Sequence, residues 1–98
     1  MHIISRKMIR EFVEYEPQSA TALDEWYRLM KGSRAANLAQ LWRTFPAADL
    51  VGSCVIFNVG GNKYRIITKI AFQKQTVYLR FVLTHREYDR EKWKADCR

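Results

Sequence analysis

Two periods divide the chain. Up to Phe45 the apolar residues recur at helical spacing, and from Gly52 they alternate. Residues 2–4 form a short apolar run that predicts a strand, and Ser5 is placed to cap a helix. Met8, Ile9, Phe12 and Val13 carry that helix through Tyr15, and Pro17 stops it. Leu23, Trp26, Tyr27 and Met30 follow the i, i+3, i+4, i+7 pattern, predicting a second helix from about Ser19 to Lys31 with Gly32 as its stop. Asp24 and Arg28 are an i,i+4 pair on it. Leu38, Leu41, Trp42 and Phe45 repeat the spacing over a shorter piece, 37–45, before Pro46. Trp26 and Trp42 both fall on apolar stripes, so core packing is expected of both rather than a ligand box.

Residues 53–59, 63–72 and 76–84 read as strands rich in Val, Ile, Phe, Tyr and Thr. Gly60-Gly61 suits a tight hairpin whose central positions need positive φ. Gln73-Lys74-Gln75 makes the next turn, so an antiparallel meander is expected. Strict alternation puts Tyr64, Ile66, Thr68, Ile70 and Phe72 on one face, with Val77, Leu79, Phe81 and Leu83. It puts Lys63, Arg65, Lys69, Tyr78, Arg80, Val82 and Thr84 on the other. The expected fold is α+β: an N-terminal strand and two to three helices on one face of a small antiparallel sheet, with a short C-terminal helix around Trp93.

Charge sharpens the picture. The net charge is +7, but residues 1–50 hold 7 basic and 6 acidic side chains, against 10 and 4 in residues 51–98. Between Asp49 and Glu87 there is no carboxylate, while Lys63, Arg65, Lys69, Lys74, Arg80 and Arg86 all fall there. Such a one-sided basic field captures polyanions. A solubilising surface, or a surface that docks an acidic protein, uses the same residues. The sheet face expected to stay open carries Lys63, Arg65, Lys69, Tyr78 and Arg80, and Arg86 follows close behind, which suits a sugar-phosphate ligand.

Ninety-eight residues fit a single domain, 1–98, and 48% hydrophobic content supplies a core. No apolar run approaches a membrane span, and the N-terminal charges are not followed by an apolar stretch, so neither membrane nor secretion is expected. The two cysteines are too few for a disulfide framework and no His/Cys spacing resembles a zinc site. Cys54 is expected to be a small buried hydrophobe and Cys97 to be incidental. The expectation is a cytoplasmic chain that uses no metal or other cofactor.

Metal-free RNA cleavage needs a group to take the 2′-OH proton, a cation for the charge growing on phosphorus, and an acid for the leaving 5′-oxygen. Arg65, Arg80, His85, Tyr88 and Lys63 have the right chemistry, and a histidine side chain exchanges protons near neutral pH. The same residues also allow blander roles: a structural His85 at a strand end, and a Tyr88 that belongs to the core.

The phrase Phe57-Asn58-Val59-Gly60-Gly61-Asn62-Lys63-Tyr64-Arg65-Ile66-Ile67, then Tyr78-Leu79-Arg80, Leu83-Thr84-His85-Arg86-Glu87-Tyr88-Asp89 and Trp93-Lys94, resembles the HigB toxin family of RelE-like toxins. Phe45-Pro46-Ala47-Ala48-Asp49 is similar to it as well, and the likeness extends over nearly the whole chain. The resemblance implies a RelE-like fold and a type II toxin that cuts mRNA on the translating ribosome. It also implies a helix-turn-helix antitoxin, HigA-like, as partner. Carried over by position, it makes Arg65, His85 and Tyr88 the catalytic residues. Lys63, Lys69, Tyr78, Arg80 and Arg86 are the expected RNA-binding residues. Two other classes compete: a non-catalytic RNA- or ribosome-binding module on the same sheet, and an interaction protein docking only an acidic partner.

Overall fold

The computed structural model describes residues 1–98. Strand β1 (His2–Ile4) leads into helices α1 (Arg6–Tyr15), α2 (Ala20–Gly32) and α3 (Leu38–Thr44), with a 3₁₀ turn at Pro17–Ser19 between the first two. Strands β2 (Asp49–Val51), β3 (Cys54–Val59), β4 (Tyr64–Ala71) and β5 (Thr76–Thr84) follow, then short helices α4 (His85–Asp89) and α5 (Lys94–Cys97). The five strands form one sheet in the order β1-β5-β4-β3-β2.

The sheet is mixed rather than antiparallel throughout, because β1 pairs in parallel with β5. Three helices intervene between β1 and the meander, and a connection of that length permits a parallel pair. Strand β2 is an addition to the expected set. It turns back onto β3 through Gly52, whose φ of +57° and whose approach to Cys97 leave no room for a side chain: a Cβ there would lie 1.9 Å from the Cys97 carbonyl oxygen. Gly60, Gly61 and Asn62 all have positive φ, as the expected tight turn requires, and a Cβ on Gly60 would press on the Tyr64 ring at 2.9 Å. Ser5 stands at the N-cap of α1 but makes no side-chain bond. Asn37 caps α3, and Thr84 with Glu87 forms a full capping box on α4.

The main core lies between the helices and one sheet face. Ile9 and Phe12 of α1 and Leu23, Trp26 and Met30 of α2 pack on Val55, Phe57, Tyr64, Ile66, Val77, Leu79 and Val82. Edge-on aromatic pairs join the layers, Phe12 with Tyr64 at 5.7 Å and Trp26 with Phe57 at 5.4 Å. Trp42 is not in this core. It is 41% exposed, and its indole N–H donates to the Ala48 carbonyl at 2.8 Å.

The faces of β5 differ from strict alternation. Ile67 pairs with Phe81 and Thr68 with Leu79, so Arg80 is an extra residue without a partner. One inserted residue reverses the facing of everything beyond it. Val82 therefore joins Val77 and Leu79 in the main core, while Phe81 and Leu83 turn to the opposite face.

That opposite face is not open along its whole length. The C-terminal segment folds back over it and builds a second core of Cys54, Ile56, Ile67, Trp93 and Cys97, flanked by Phe81, Leu83 and Tyr88. Cys54 and Cys97 are disulfide-bonded, with Cα atoms 5.2 Å apart. Cys54 is buried as expected, but it is not a free thiol, and Cys97 is not incidental: their bond ties α5 to β3. Ser53 N–H and Oγ both donate to the Cys97 carbonyl beside it.

Candidate active site

The β3–β4 turn, the end of β5 and α4 meet at one end of the sheet. Tyr64 pairs with Thr84 across the strands, and the backbone N–H of His85 donates to the Lys63 carbonyl at 2.9 Å. This junction brings Lys63, Arg65, His85, Arg86 and Tyr88 to the same region. The capping box of Thr84 and Glu87 fixes how α4 leaves the strand, and so where His85 and Tyr88 begin.

Arg65 is the most constrained charge in the molecule, at 7% exposure. Its Nη1 donates to the Asn62 carbonyl at 2.9 Å and to the Tyr64 carbonyl at 3.2 Å. The left-handed turn presents the first of those carbonyls. The guanidinium carbon sits 4.9 Å from the Tyr88 ring centroid. No carboxylate pairs with Arg65. A desolvated cation held only by carbonyls and a ring retains a strong demand for an anion. Nε and Nη2 make no hydrogen bond within the protein, leaving one edge of the planar fork to meet it.

Tyr88 is held from its other side. Its ring stacks on Trp93 with centroids 4.9 Å apart and planes 10° from parallel. The Trp93 N–H donates to the Tyr88 carbonyl at 2.9 Å. Trp93 itself is 2% exposed. The order Arg65, Tyr88, Trp93 is therefore a continuous stack rooted in the second core. The Tyr88 hydroxyl has no hydrogen-bond partner within the protein.

His85 stands in solvent beside this stack. Its Nδ1 lies 2.9 Å from an Asp89 carboxylate oxygen one helical turn on. A carboxylate at Nδ1 favours the tautomer protonated there and leaves Nε2 as the lone-pair nitrogen. Asp89, Trp93 and the Asn62 carbonyl had no part in the expected site. The His-to-Asp spacing of four residues at the start of a helix is a signal for Asp89, and Asp89 and Trp93 both stand in the stretches that carry the family resemblance.

Lys69, Tyr78 and Arg80 lie elsewhere. Lys69 faces Tyr78 across the ladder, four residues from Arg65 along β4, or about 13 Å at ~3.3 Å per residue. Arg80 makes a forked ion pair with Asp96, at 2.7 and 2.9 Å, and Lys69 approaches the same carboxylate at 3.9 Å. The hydrogen bond from Arg80 holds the Asp96 carboxyl below its ordinary range, and Asp96 in turn raises Arg80. Both cations expected to meet RNA here are thus engaged with a C-terminal carboxylate. No cluster of three or more His, Cys, Asp or Glu side chains is spaced to hold a metal ion, and no helix is long and apolar enough to cross a membrane.

Comparison with known proteins places the chain in a family. A family model described as HigB_toxin, RelE-like toxic component of a toxin-antitoxin system, matches residues 19–91. The mRNA interferase toxin HigB of Escherichia coli K12 is 33% identical over 92 residues, covering 91% of this chain and 88% of that protein. The mRNA interferase HigB of Shigella flexneri gives the same figures. The mRNA interferase HigB of Escherichia coli O6:H1 is 30% identical over 93 residues, 92% of this chain and 90% of its own. The family model spans most of the chain and the relatives are 30–33% identical over about nine-tenths of it, so the chain belongs to the HigB family of RelE-like toxins.

Proposed function

We propose that this toxin is a metal-independent endoribonuclease that cuts mRNA at the Arg65–His85–Tyr88 junction, in the cytoplasm and on the translating ribosome. The observation that carries the reading is Arg65: a nearly buried guanidinium with no carboxylate, anchored through one nitrogen and open along its remaining edge. A phosphodiester supplies the anion such a group lacks.

The chemistry follows from three roles. His85 Nε2, oriented by Asp89, takes the proton of the ribose 2′-OH. The 2′-oxygen attacks phosphorus and expels the 5′-oxygen, which takes a proton from water as it leaves, and His85 returns its own proton to solvent afterwards. Arg65 stabilises the dianionic phosphorane as charge builds on its oxygens. The Tyr88 hydroxyl, which has no hydrogen-bond partner within the protein, orients the reacting groups. Its ring is occupied by Arg65 and Trp93, which argues against base stacking there. The products carry a 2′,3′-cyclic phosphate and a 5′-hydroxyl. Lys63 and Arg86 add field around the same phosphates.

All of residues 1–98 work as one domain in this reading. Met1 and Ile3 enter the first core, and Trp93 and Cys97 the second, so both ends of the chain support the sheet. The partner is a helix-turn-helix antitoxin whose acidic side chains cover or displace the junction.

Induction of this chain in growing bacteria, beside Arg65→Ala, tests the function. New transcript ends and growth arrest are expected with the first and neither with the second. Intact transcripts from a folded protein would favour the non-catalytic RNA-binding reading instead.

A further inference from the structure

The last turn of the chain reaches the candidate site through a short series of contacts. The Cys54–Cys97 bond fixes α5 against β3. Both cysteines belong to the second core, and Trp93 is buried with them. Trp93 stacks on Tyr88, and Tyr88 lies against the Arg65 guanidinium. The bond is therefore linked to the most constrained cation in the molecule through two aromatic rings.

Little else holds α5 in place. It has four residues, Lys94–Cys97, too few to stand as a helix alone. Its polar ties to the sheet are the pairing of Asp96 with Arg80 and Lys69, partly exposed, and the two Ser53 bonds to the Cys97 carbonyl. An ion pair in solvent and two hydrogen bonds gain little against the conformational entropy of ordering four residues. The covalent bond supplies the remainder. Without it the end of the chain frays, Cys97 leaves the second core, and one side of Trp93 opens to water.

We infer that Cys54–Cys97 is a thiol–disulfide exchange site that switches the toxin: the oxidised chain holds the Arg65–Tyr88–Trp93 stack together, and reduction by a dithiol loosens it. The inference rests on the nuclease reading of that junction. Both cysteines are buried, so the bond is reached when the chain end, one residue beyond Cys97, lifts. A thiolate of the dithiol attacks Cys97 Sγ, and Cys54 Sγ leaves and takes a proton from water. The second thiol of the dithiol then displaces Cys97 from the mixed disulfide, and Cys97 is protonated in turn. Two electrons pass to the two cysteines, and the dithiol ends as a disulfide. In a reducing compartment such a bond exchanges with the thiol pool, so its state follows the thiol balance of the cell.

The experiment compares the oxidised chain, the same chain reduced with dithiothreitol, and the chain reoxidised afterwards, each with its free thiols counted. All are held below the melting temperature of the reduced form. Hydrogen exchange is followed along the chain, and single-turnover cleavage of a reporter mRNA is measured beside it. Reduction is expected to speed amide exchange over residues 88–97 at least tenfold while α2 is unchanged. Cleavage should fall at least tenfold and return on reoxidation. Cys97→Ala should cleave slowly with or without dithiothreitol, which separates the switch from any effect of the reagent on the reaction. If that variant does not fold, recovery on reoxidation of the native chain makes the same separation. Equal exchange over 88–97 in the oxidised and reduced chains would overturn the inference. Faster exchange there with an unchanged cleavage rate would also overturn it, because the junction would then not depend on the bond. Exchange that rises equally in α2 would reduce the effect to global destabilisation and overturn it too. No cleavage in any state would fail the nuclease reading, and exchange over 88–97 would then decide alone whether the bond controls the stack.

Discussion

The Arg65 guanidinium lies against the Tyr88 ring, its carbon 4.9 Å from the centroid, and the ring shields a cation that no carboxylate neutralises. The pair joins β4 to α4, and Trp93 backs it from the second core. Most of what the site can do follows from how that stack is held.

Arg65→Lys keeps the charge but loses the fork. An ammonium cannot bond two carbonyls through one nitrogen and still offer a planar edge to phosphate. The cleavage rate is expected to fall about 10²–10³-fold, the scale of losing an oxyanion donor. Single-turnover cleavage of a reporter mRNA measures it, and near-native rates for Arg65→Lys would remove the geometric role.

His85 and Asp89 form a dyad on the first turns of α4, at 2.9 Å. His85→Ala is expected to lower cleavage by about 10²–10⁴, the range for a lost general base. Asp89→Asn should lower it less and leave melting unchanged, because the residue is 60% exposed in its side chain. Equal rates for Asp89→Asn and the native chain would return the carboxylate to surface charge.

Trp93 touches no substrate in this arrangement and acts through Tyr88. Trp93→Phe keeps an aromatic ring in the second core but removes the N–H bond to the Tyr88 carbonyl. The expected signature is a lower kcat with little change in KM. Trp93→Ala should also destabilise the fold, by about 3–5 kcal/mol for a large buried aromatic. A Trp93→Phe protein with native kcat would show that the stack needs no such anchor.

The Cys54–Cys97 bond closes a loop of 43 residues. The chain-entropy relation assigns a crosslink of that span about 4 kcal/mol of stability. Reduction, or Cys97→Ser, is therefore expected to lower the melting temperature by more than about 10 °C in a domain of this size. Calorimetry with and without reductant reads the effect. Identical transitions would mean that the packing of Trp93 alone holds the segment in place.

The periodicities located α1, α2, α3 and the three long strands to within a residue or two, because helices and strands bury one face at fixed spacing. Arg65 and His85 were legible as chemistry in a basic, carboxylate-free stretch, and Tyr88 just beyond its end. Arg80 shows where local rules stopped: as an inserted residue it reversed Val82 and Phe81, and an insertion leaves no mark on the pattern of polar and apolar positions. Trp42 reads as core by spacing, yet lies at the rim of a helix too short to be covered.

The set of elements and the reactive groups were written in the sequence, since both depend on neighbours a few residues apart. Long-range packing had to settle that Trp93 backs Tyr88, that Asp96 occupies Arg80 and Lys69, and that Cys54 meets Cys97. Each of those relations joins separate elements, and which elements meet is governed by the packing of the whole sheet, not by the spacing along any one segment.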